Sequence, residues 1–377
     1  MKSFQGPVVL GLFCASAFCA AAQNADKSAS GTEPPIPRYT LEFGKPQKTG
    51  LGGGGTAMSA LHTCDDDGTV FLEVSDNRSD GIGLMTLHSL DRTGESIRFS
   101  PGHLPGYTDQ ISHPVRFFAN ETRVAALVYA TQVQANPSDP PPDHQVELVL
   151  IYDRKGALKK VVPLPEGLRV RAVGLYESGN LLAVGADDRD HSARLLVIDG
   201  SGETVREIRL FDEDYNLRRN AKKAQMLSSV IQNKSGALEM MQILPRGPNL
   251  LLIPVYSRQP IIEVNERGIV RVYPLQVPDG FFLGEALSIG KRSWSFETSR
   301  GGFKEPKANE EPPKMFAIDP GPVLVFDPND GRVLRTVDQS PDSSKARLVC
   351  EQDGEFTALT TDHTDGSLEV LKASIPR

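Results

Sequence analysis

Two short turn motifs recur along this chain, and this recurrence constrains the fold more than any other feature of the sequence. The first motif is an apolar strand that ends in Asp or Asn and reaches a glycine three or four residues later, before a second strand. Asp and Asn satisfy backbone groups in tight turns, and glycine adopts positive φ without steric cost. The motif therefore predicts β-hairpins at residues 90–94, 152–156, 198–202, 264–268 and 326–331.

The second motif is a polar turn that leads into a strand of apolar and β-branched residues, and it occurs six times, near residues 68, 120, 179, 247, 290 and 354. Two hairpins per unit correspond to about six four-stranded units. Successive anchors of the first motif, at residues 91, 153, 199, 265 and 327, are 46 to 66 residues apart, and the shortest interval is close to the ~40 to 50 residues of a propeller blade. The longer intervals contain insertions of loop composition at 136–143, 213–239 and 301–313.

The last unit contains only three strands, at 346–350, 355–361 and 367–373, whereas an additional alternating strand stands alone at 38–43. A ring places the first and last units side by side, so the N-terminal strand can supply the missing edge and remove an exposed sheet end. We therefore predict an all-β fold over residues 38–377, a six-bladed β-propeller of four-stranded antiparallel blades, closed by pairing between Tyr39 and the terminal strand around Leu371.

Segments such as Gly-Asn-Leu-Leu-Ala-Val at 179–184 and Leu-Val-Ile-Asp at 196–199 resemble blade segments of six-bladed β-propellers of the NHL-like and TolB-like kind. The resemblance covers roughly the whole repeat region and lies in the rhythm of the repeats. It includes no signature of one subfamily, so it implies the fold and carries over no functional residues.

The N-terminus has the pattern of a secretory signal peptide. Lys2 precedes an uncharged apolar stretch at 6–22 that ends in three alanines, which predicts cleavage near Ala22. The stretch is shorter than the ~20 residues that span a bilayer. We expect a secreted or periplasmic protein with a flexible linker at 23–37, no membrane span in the mature chain, and no nucleic-acid partner because the formal net charge is -7.

Histidines and aspartates supply the candidate site residues. His62, on the inner strand of the first blade, and His113, just before that of the second, are weak catalytic candidates; structural or solvent-facing histidine is the alternative. Asp65, Asp66, Asp187 and Asp188 are weak metal candidates, with solvated turns as the alternative. No histidine pair has zinc-ligand spacing, so no cofactor is predicted, although calcium or zinc stays open.

Cleavage near Ala22 leaves two cysteines, Cys64 and Cys350. Each stands just before the first turn of its unit, and ring closure makes these units neighbours. A disulfide between them and a pair of buried free thiols both remain open, because bonding requires Cα atoms within ~7 Å.

The sequence contains no nucleophile elbow, zinc-binding helix or redox-active cysteine pair. A regular scaffold with long insertions predicts a monomeric binding or scaffolding propeller that recognises a protein, peptide or glycan through its loop face, rather than an enzyme. The alternative is a propeller lyase or hydrolase with a metal-assisted site at the channel mouth.

Overall fold

In a computed structural model, the protein is described over residues 35–52, 58–65, 67–76, 84–112, 116–133, 145–189, 193–208, 241–255, 260–300, 319–340 and 346–376. These residues form an all-β ring of six blades, and no helix occurs among them. In the same ranges, no helix therefore meets the length and hydropathy needed to cross a membrane. The fold predicted from the repeats is confirmed.

The strands follow one another blade by blade, after two N-terminal strands, β1 (Arg38–Leu41) and β2 (Gln47–Gly52). Blade 1 consists of β3 (Met58–Cys64), β4 (Val70–Asp76), β5 (Leu84–Leu90) and β6 (Ser96–Phe99). Blade 2 consists of β7 (Tyr107–Ile111), β8 (Arg116–Ala119), β9 (Arg123–Gln132), β10 (Gln145–Asp153) and β11 (Leu158–Pro163). Blade 3 consists of β12 (Leu168–Leu175), β13 (Leu181–Asp187), β14 (Ala193–Ile198) and β15 (Thr204–Glu207).

The second half of the ring continues the same pattern. Blade 4 consists of β16 (Met241–Arg246), β17 (Asn249–Pro254), β18 (Ile261–Asn265) and β19 (Gly268–Tyr273). Blade 5 consists of β20 (Phe281–Ile289), β21 (Trp294–Arg300), β22 (Asp319–Pro320), β23 (Val323–Phe326) and β24 (Val333–Gln339). Blade 6 consists of β25 (Arg347–Gln352), β26 (Glu355–Thr361) and β27 (Ser367–Ser374), completed by β2.

The innermost strand of each blade lies at the centre of the ring, and in blade 2 this strand is interrupted into β7 and β8. These inner strands, β3, β8, β12, β16, β20 and β25, contact one another in a closed cycle. The hairpins that join first to second and third to fourth strands lie on one side, the turn face, because paired strands are antiparallel. The connections from second to third strands and from blade to blade join strand ends on the opposite side, the loop face. The strands that flank all three predicted insertions have their connected ends on the loop face.

The core lies between adjacent blades rather than within one centre. Apolar side chains of neighbouring sheets interdigitate in successive clusters around the ring. A strand that is covered on both faces is continuously apolar, as in Leu181–Asp187, where five consecutive residues are buried. The most bulky buried side chain, Trp294, packs between blades 4 and 5, with its ring centroid 4.6 Å from that of Tyr273.

An N-terminal strand closes the ring as predicted, but it is not the segment around Tyr39. The fourth strand of blade 6 is β2, which pairs antiparallel with β27 through Gln47 and Lys48. Lys48 lies 2.7 Å from Asp365, and Thr49 Oγ1 donates a hydrogen bond of 2.9 Å to the carbonyl oxygen of Leu368. These contacts fix a segment whose glycines give it low intrinsic strand propensity.

The segment around Tyr39 forms β1, which adds to the outer edge of blade 5 as a parallel strand beside β24. Arg38 forms an ion pair with Asp338, and Leu41 is fully buried in the cluster that contains Val337. The alternating pattern therefore indicated a real strand, but a pairing with Leu371 was wrong because β1 covers the neighbouring blade. After β1, the backbone nitrogen of Gly44 donates a hydrogen bond of 2.9 Å to the carbonyl oxygen of Lys372 on β27.

Candidate functional site

Polar side chains from four blades meet at the centre of the ring. Because the inner strands run from the loop face to the turn face, the first residue of each lies toward the loop face. Arg347 begins β25, whereas Glu285 lies in the middle of β20. Arg116 lies in the middle of the inner edge of blade 2, because β7 continues that edge toward the loop face. A charged residue in the middle of an inner strand must either be paired or change its protonation state.

A β-bulge brings Glu285 toward the axis. Leu283 pairs with Thr298 and Ala286 pairs with Phe296, so two residues of β20 oppose the single residue Glu297 of β21. A bulge of this kind changes the direction of a side chain and increases the local strand twist. Gly284 allows the close approach, since a Cβ atom there would lie 3.0 Å from that of Glu297.

Glu285 contacts residues of two other blades. Its Oε2 atom lies 3.0 Å from Nδ1 of His62 on β3 and accepts a hydrogen bond of 3.4 Å from Nη2 of Arg347 on β25. Only 2% of the His62 side chain is exposed, compared with 17% for Glu285 and 29% for Arg347. We call His62, Arg116, Glu285, Glu297 and Arg347 the axial cluster.

Burial makes both carboxyl groups of the axial cluster hard to ionise. Burial raises the pKa of Glu285 to about 7, against the opposing effect of the Arg347 and Arg116 charges. Burial likewise raises the pKa of Glu297 to about 7, and the negative charge of Glu285 raises it further. The two carboxyl groups therefore exchange protons near neutral pH, while the two guanidinium groups stay charged.

A second polar group extends from the axis along the loop-face half of blades 2 and 3. Glu147 on β10 accepts a hydrogen bond of 2.9 Å from the backbone nitrogen of Val170. Burial raises the pKa of Glu147, and its hydrogen bonds with Val170 and Tyr129, together with the charge of Arg171, oppose that rise. Arg171 is the extra residue of a bulge between Val170 and Ala172. In two of the six inner strands, β20 and β12, a bulge thus places a charged residue outside the regular strand pairing.

The structure describes some of the predicted site residues and not others. His62 lies on an inner strand at the axis, as its position in the repeat predicted. His113 and Asp66 lie outside the described residues, so the structure says nothing of them. A catalytic role of His62 stays a prediction.

Asp65, one of the aspartates proposed as metal ligands, serves its own turn. Asp65 Oδ1 accepts hydrogen bonds from the backbone nitrogens of Asp67 and Thr69, and its other oxygen pairs with Arg154. In the part of the chain that the structure describes, no three His, Cys, Asp or Glu residues gather closely enough to hold a metal ion.

The pair on the loop face of blade 3 is engaged in the same way. Asp187 Oδ1 accepts a hydrogen bond of 2.9 Å from the backbone nitrogen of Arg189, and Asp188 lies 3.5 Å from Arg169. Calcium or zinc binding stays a prediction.

Cys64 and Cys350 meet at the seam between blades 1 and 6. The structure joins them as a disulfide, with Cα atoms 5.4 Å apart and a sequence separation of 286. Both cysteines lie on inner strands, and Cys350 is buried. The bond would therefore link the first and last inner strands next to the axis.

Sequence reasoning missed Glu285, Glu297, Arg116 and Arg347. A signal for Glu285 was present, because the dipeptide Gly284–Glu285 interrupts the apolar strand Phe281–Ile289. A glycine inside a strand pattern often marks a bulge. The two arginines lacked such a signal, since a basic residue at the start of a strand usually faces solvent.

No protein-family model matches this chain, and no curated protein matches it. Several solved structures are similar to it at low sequence identity. A protein of unknown function from Dyadobacter fermentans has a TM-score of 0.40 at 10% identity, covering 90% of this chain and 97% of that one. Luciferin-regenerating enzyme has a TM-score of 0.39 at 9% identity, covering 88% and 96%.

A structure from a study of two prolyl endopeptidases has a TM-score of 0.37 at 14% identity, covering 86% of this chain and 43% of that one. Similarity at this level carries no argument about function. The resemblance to NHL-like and TolB-like propellers therefore stays a prediction beyond the shared six-bladed form.

Proposed function

We propose that this chain is an exported binding propeller that recognises a protein, peptide or glycan through its loop face. The observation that supports the proposal is the axial cluster, which holds two partly exposed guanidinium-bearing residues, Arg347 at the loop-face end of β25 and Arg116 in the middle of the inner edge of blade 2. Guanidinium groups bind polar partners with fixed geometry but do not exchange protons at neutral pH. Such groups suit recognition better than acid–base chemistry.

The burial of His62 favours binding over catalysis. A general acid or base must come within hydrogen-bond distance of the reacting group, whereas only 2% of the His62 side chain is exposed. Glu285 and Glu297 each have a pKa raised to about 7, which suits proton transfer and favours the alternative of a lyase or hydrolase.

The loop face is tested by comparing two variants on a panel of peptides and glycans. We expect Arg347→Ala, at the loop-face end of β25, to weaken binding of the retained ligand at least tenfold. Lys291→Ala, an exposed substitution in a turn-face hairpin, should leave binding unchanged. Loss of binding in Lys291→Ala alone would contradict the proposal. Turnover of any ligand that disappears in Glu285→Gln would support the enzyme instead.

Export is proposed from the N-terminal pattern, which lies outside the described residues. We expect the protein recovered from the extracytoplasmic fraction to begin at Gln23, because the alanines before it fit a signal-peptidase site. N-terminal sequencing of that fraction checks this. An intact N-terminus at Met1 in the cytoplasmic fraction would contradict it.

A further inference from the structure

We infer that the turn face carries a second binding site, a cavity that takes a small organic acid with a carboxylate or phosphate head and an apolar body. The cavity has a volume of about 870 Å³ and lies where the first hairpins of blades 4, 5, 6 and 1 meet. This volume is within the roughly 300–1,000 Å³ of sites that enclose one small molecule. The inference goes beyond the proposed function, because it concerns the opposite side of the ring.

Arg246, on the blade 4 wall of the cavity, is held in place by aromatic rings. Its guanidinium carbon lies 5.1 Å from the ring centroid of Trp294 and 5.7 Å from that of Tyr273, and such contacts attract the cation to the ring faces. Within the described ranges its ion pair is a long one, 3.9 Å from Nε to Glu263, and its side chain donates no hydrogen bond there. A guanidinium fork held in this way suits a carboxylate or phosphate, because it can donate two parallel hydrogen bonds.

Arg292 stands at the tip of the tight hairpin of blade 5. The backbone nitrogen of Gly290 donates a hydrogen bond of 3.0 Å to the carbonyl oxygen of Ser293, and Nε1 of Trp294 donates one of 3.1 Å to the carbonyl oxygen of Gly290. These bonds fix the turn at 291–292, which lines the cavity. Arg292 is exposed, and its side chain forms no ion pair or hydrogen bond with the residues that the structure describes. Its charge is therefore available to a ligand.

Most carboxylates of the cavity are engaged by the protein itself. Each oxygen of Glu351 accepts a hydrogen bond, from the hydroxyl group of Ser295 at 2.9 Å and from the backbone nitrogen of Gly354 at 2.7 Å. Both oxygens of Glu263 accept hydrogen bonds from neighbouring side chains. Those of Asp65 serve its turn and an arginine. These acids therefore have little capacity left to neutralise the arginines of the cavity.

The charges that remain available in the cavity are mostly positive. Asp353 is an exposed acid whose side chain makes no hydrogen bond or ion pair in the described part of the chain. Four basic side chains line the same cavity, namely Arg246, Lys291, Arg292 and Arg335. Arg335 donates a hydrogen bond of 3.3 Å to a backbone carbonyl oxygen, which leaves its charge in place. An excess of one sign in a cleft attracts a ligand of the opposite sign.

The wall between blades 5 and 6 is apolar. Leu287 and Val325 line the cavity from blade 5, and Phe356 lines it from blade 6. All three belong to the buried cluster between these blades. An apolar group of the ligand placed here is removed from water together with the wall, which is favourable. The site therefore suits an organic acid better than an inorganic anion.

The experiment compares acids with a neutral analogue on the full mature chain. Isothermal titration calorimetry at pH 7.5 and constant ionic strength measures the affinities for 3-phenylpropionate, phenyl phosphate and 3-phenylpropionamide. We expect each acid to bind at least fivefold more tightly than the amide. Inorganic phosphate should displace phenyl phosphate only at concentrations at least tenfold higher than phenyl phosphate itself requires, because it has no apolar body.

Substitutions of single charges should change this binding in opposite directions. Arg246→Gln and Arg292→Gln should each weaken binding of phenylpropionate at least fivefold. Asp353→Asn should strengthen it at least twofold, because it removes the competing negative charge, and Asn tolerates the φ of 51° at this position. Arg267→Gln is the matched control. It removes a positive charge from the outer turn-face hairpin of blade 4, which does not line the cavity, and should change nothing.

Urea unfolding of each variant separates binding from stability. Loss of the aromatic contacts of Arg246 can lower stability, whereas exposed Arg292 makes no such contact, so Arg292→Gln should unfold like the original chain. Equal affinities for the acids and the amide would contradict the inference. So would an Arg292→Gln variant that binds phenylpropionate as the original chain does, or equal weakening by Arg292→Gln and Arg267→Gln.

The outcomes for the two faces of the ring are distinguishable. Failure of the acids to bind leaves the loop-face proposal intact, because that proposal is tested with peptides and glycans. Lys291 lines the turn-face cavity, so a panel ligand whose binding is weakened by Lys291→Ala alone occupies this cavity. Such a ligand would support the turn-face site and contradict the loop-face proposal.

Discussion

The carboxyl group of Glu297 makes the stability of the ring depend on pH. Its pKa is raised from 4.5 to about 7 in the folded chain, first by burial and then by the charge of Glu285. The folded state therefore binds more protons than the unfolded state between about pH 4.5 and pH 7. The contribution of Glu297 to the free energy of unfolding therefore falls as the pH rises through this window and levels off above it.

Replacing Glu297 with glutamine should reduce this slope. Glu297→Gln retains the size of the side chain and removes its ionisation, and it also relieves the repulsion on Glu285. We expect the variant to exceed the original chain in stability at pH 8 by on the order of 1–3 kcal/mol, measured by urea unfolding from pH 5 to pH 8. The exposed substitution Glu177→Gln is the control and should keep the original slope. A Glu297→Gln variant with an unchanged slope would refute this explanation.

For single residues, the sequence predicted where a side chain lies in the repeat better than it predicted which side chains that residue contacts. His62 could be assigned to the axis because its distance from a recognisable turn places it on an inner strand. Glu285 could not, because its role depends on a bulge and on residues 62 positions further along and 223 positions back in the chain. A charge–charge contact between blades leaves no local pattern, whereas a turn does.

The repeated hairpin is the element on which the fold depends, and its glycine has two tasks. In blade 2, Asp153 Oδ1 accepts backbone hydrogen bonds from Lys155 and Ala157, and Gly156 adopts a φ of 83°. A Cβ atom on Gly156 would lie 2.6 Å from the carbonyl oxygen of Arg98, on the outer strand of blade 1. The glycine thus forms the turn and also lets the preceding blade pack against it.

Two substitutions separate these tasks. Gly156→Ala should destabilise the protein through both unfavourable φ and the clash with blade 1. Gly94→Ala, in the corresponding turn of blade 1, has a similar φ of 89° with nothing within 4 Å and should show the φ effect alone. We expect a loss of about 1 kcal/mol for Gly94→Ala and ~1–3 kcal/mol more for Gly156→Ala, from urea unfolding. Equal losses would contradict a role in blade packing.

Strands and turns could be predicted where adjacent residues specify them. The hairpins of both motifs occur where the Asp, Asn and Gly pattern indicated, because a turn is specified by adjacent residues. Adjacent residues do not specify which strand closes the ring. The alternating strand at 38–41 pairs with blade 5, where Leu41 is buried. The glycine-containing strand at 47–52 completes blade 6 instead.

At the scale of the whole molecule, ring stability depends on the seam between blades 6 and 1. The seam is formed by the pairing of β2 with β27, by contact between inner strands β3 and β25, and by the cysteines. A ring that opens at one seam exposes two sheet faces at once, so this seam controls unfolding of the complete fold. A cross-link here restricts the unfolded chain over a separation of 286 residues.

Removing the disulfide should therefore lower the stability of the whole ring. In the chain-entropy description, closing so long a loop stabilises the folded state by about 2–5 kcal/mol. We expect the double variant Cys64→Ala/Cys350→Ala to unfold at a lower urea concentration by a corresponding amount, in one cooperative transition. Dithiothreitol should shift the original chain toward the variant and leave the variant itself unchanged, which separates the bond from the loss of side-chain volume. Alkylation of both thiols in folded, unreduced protein would mean that β2 and the inner strands hold the seam without a covalent link.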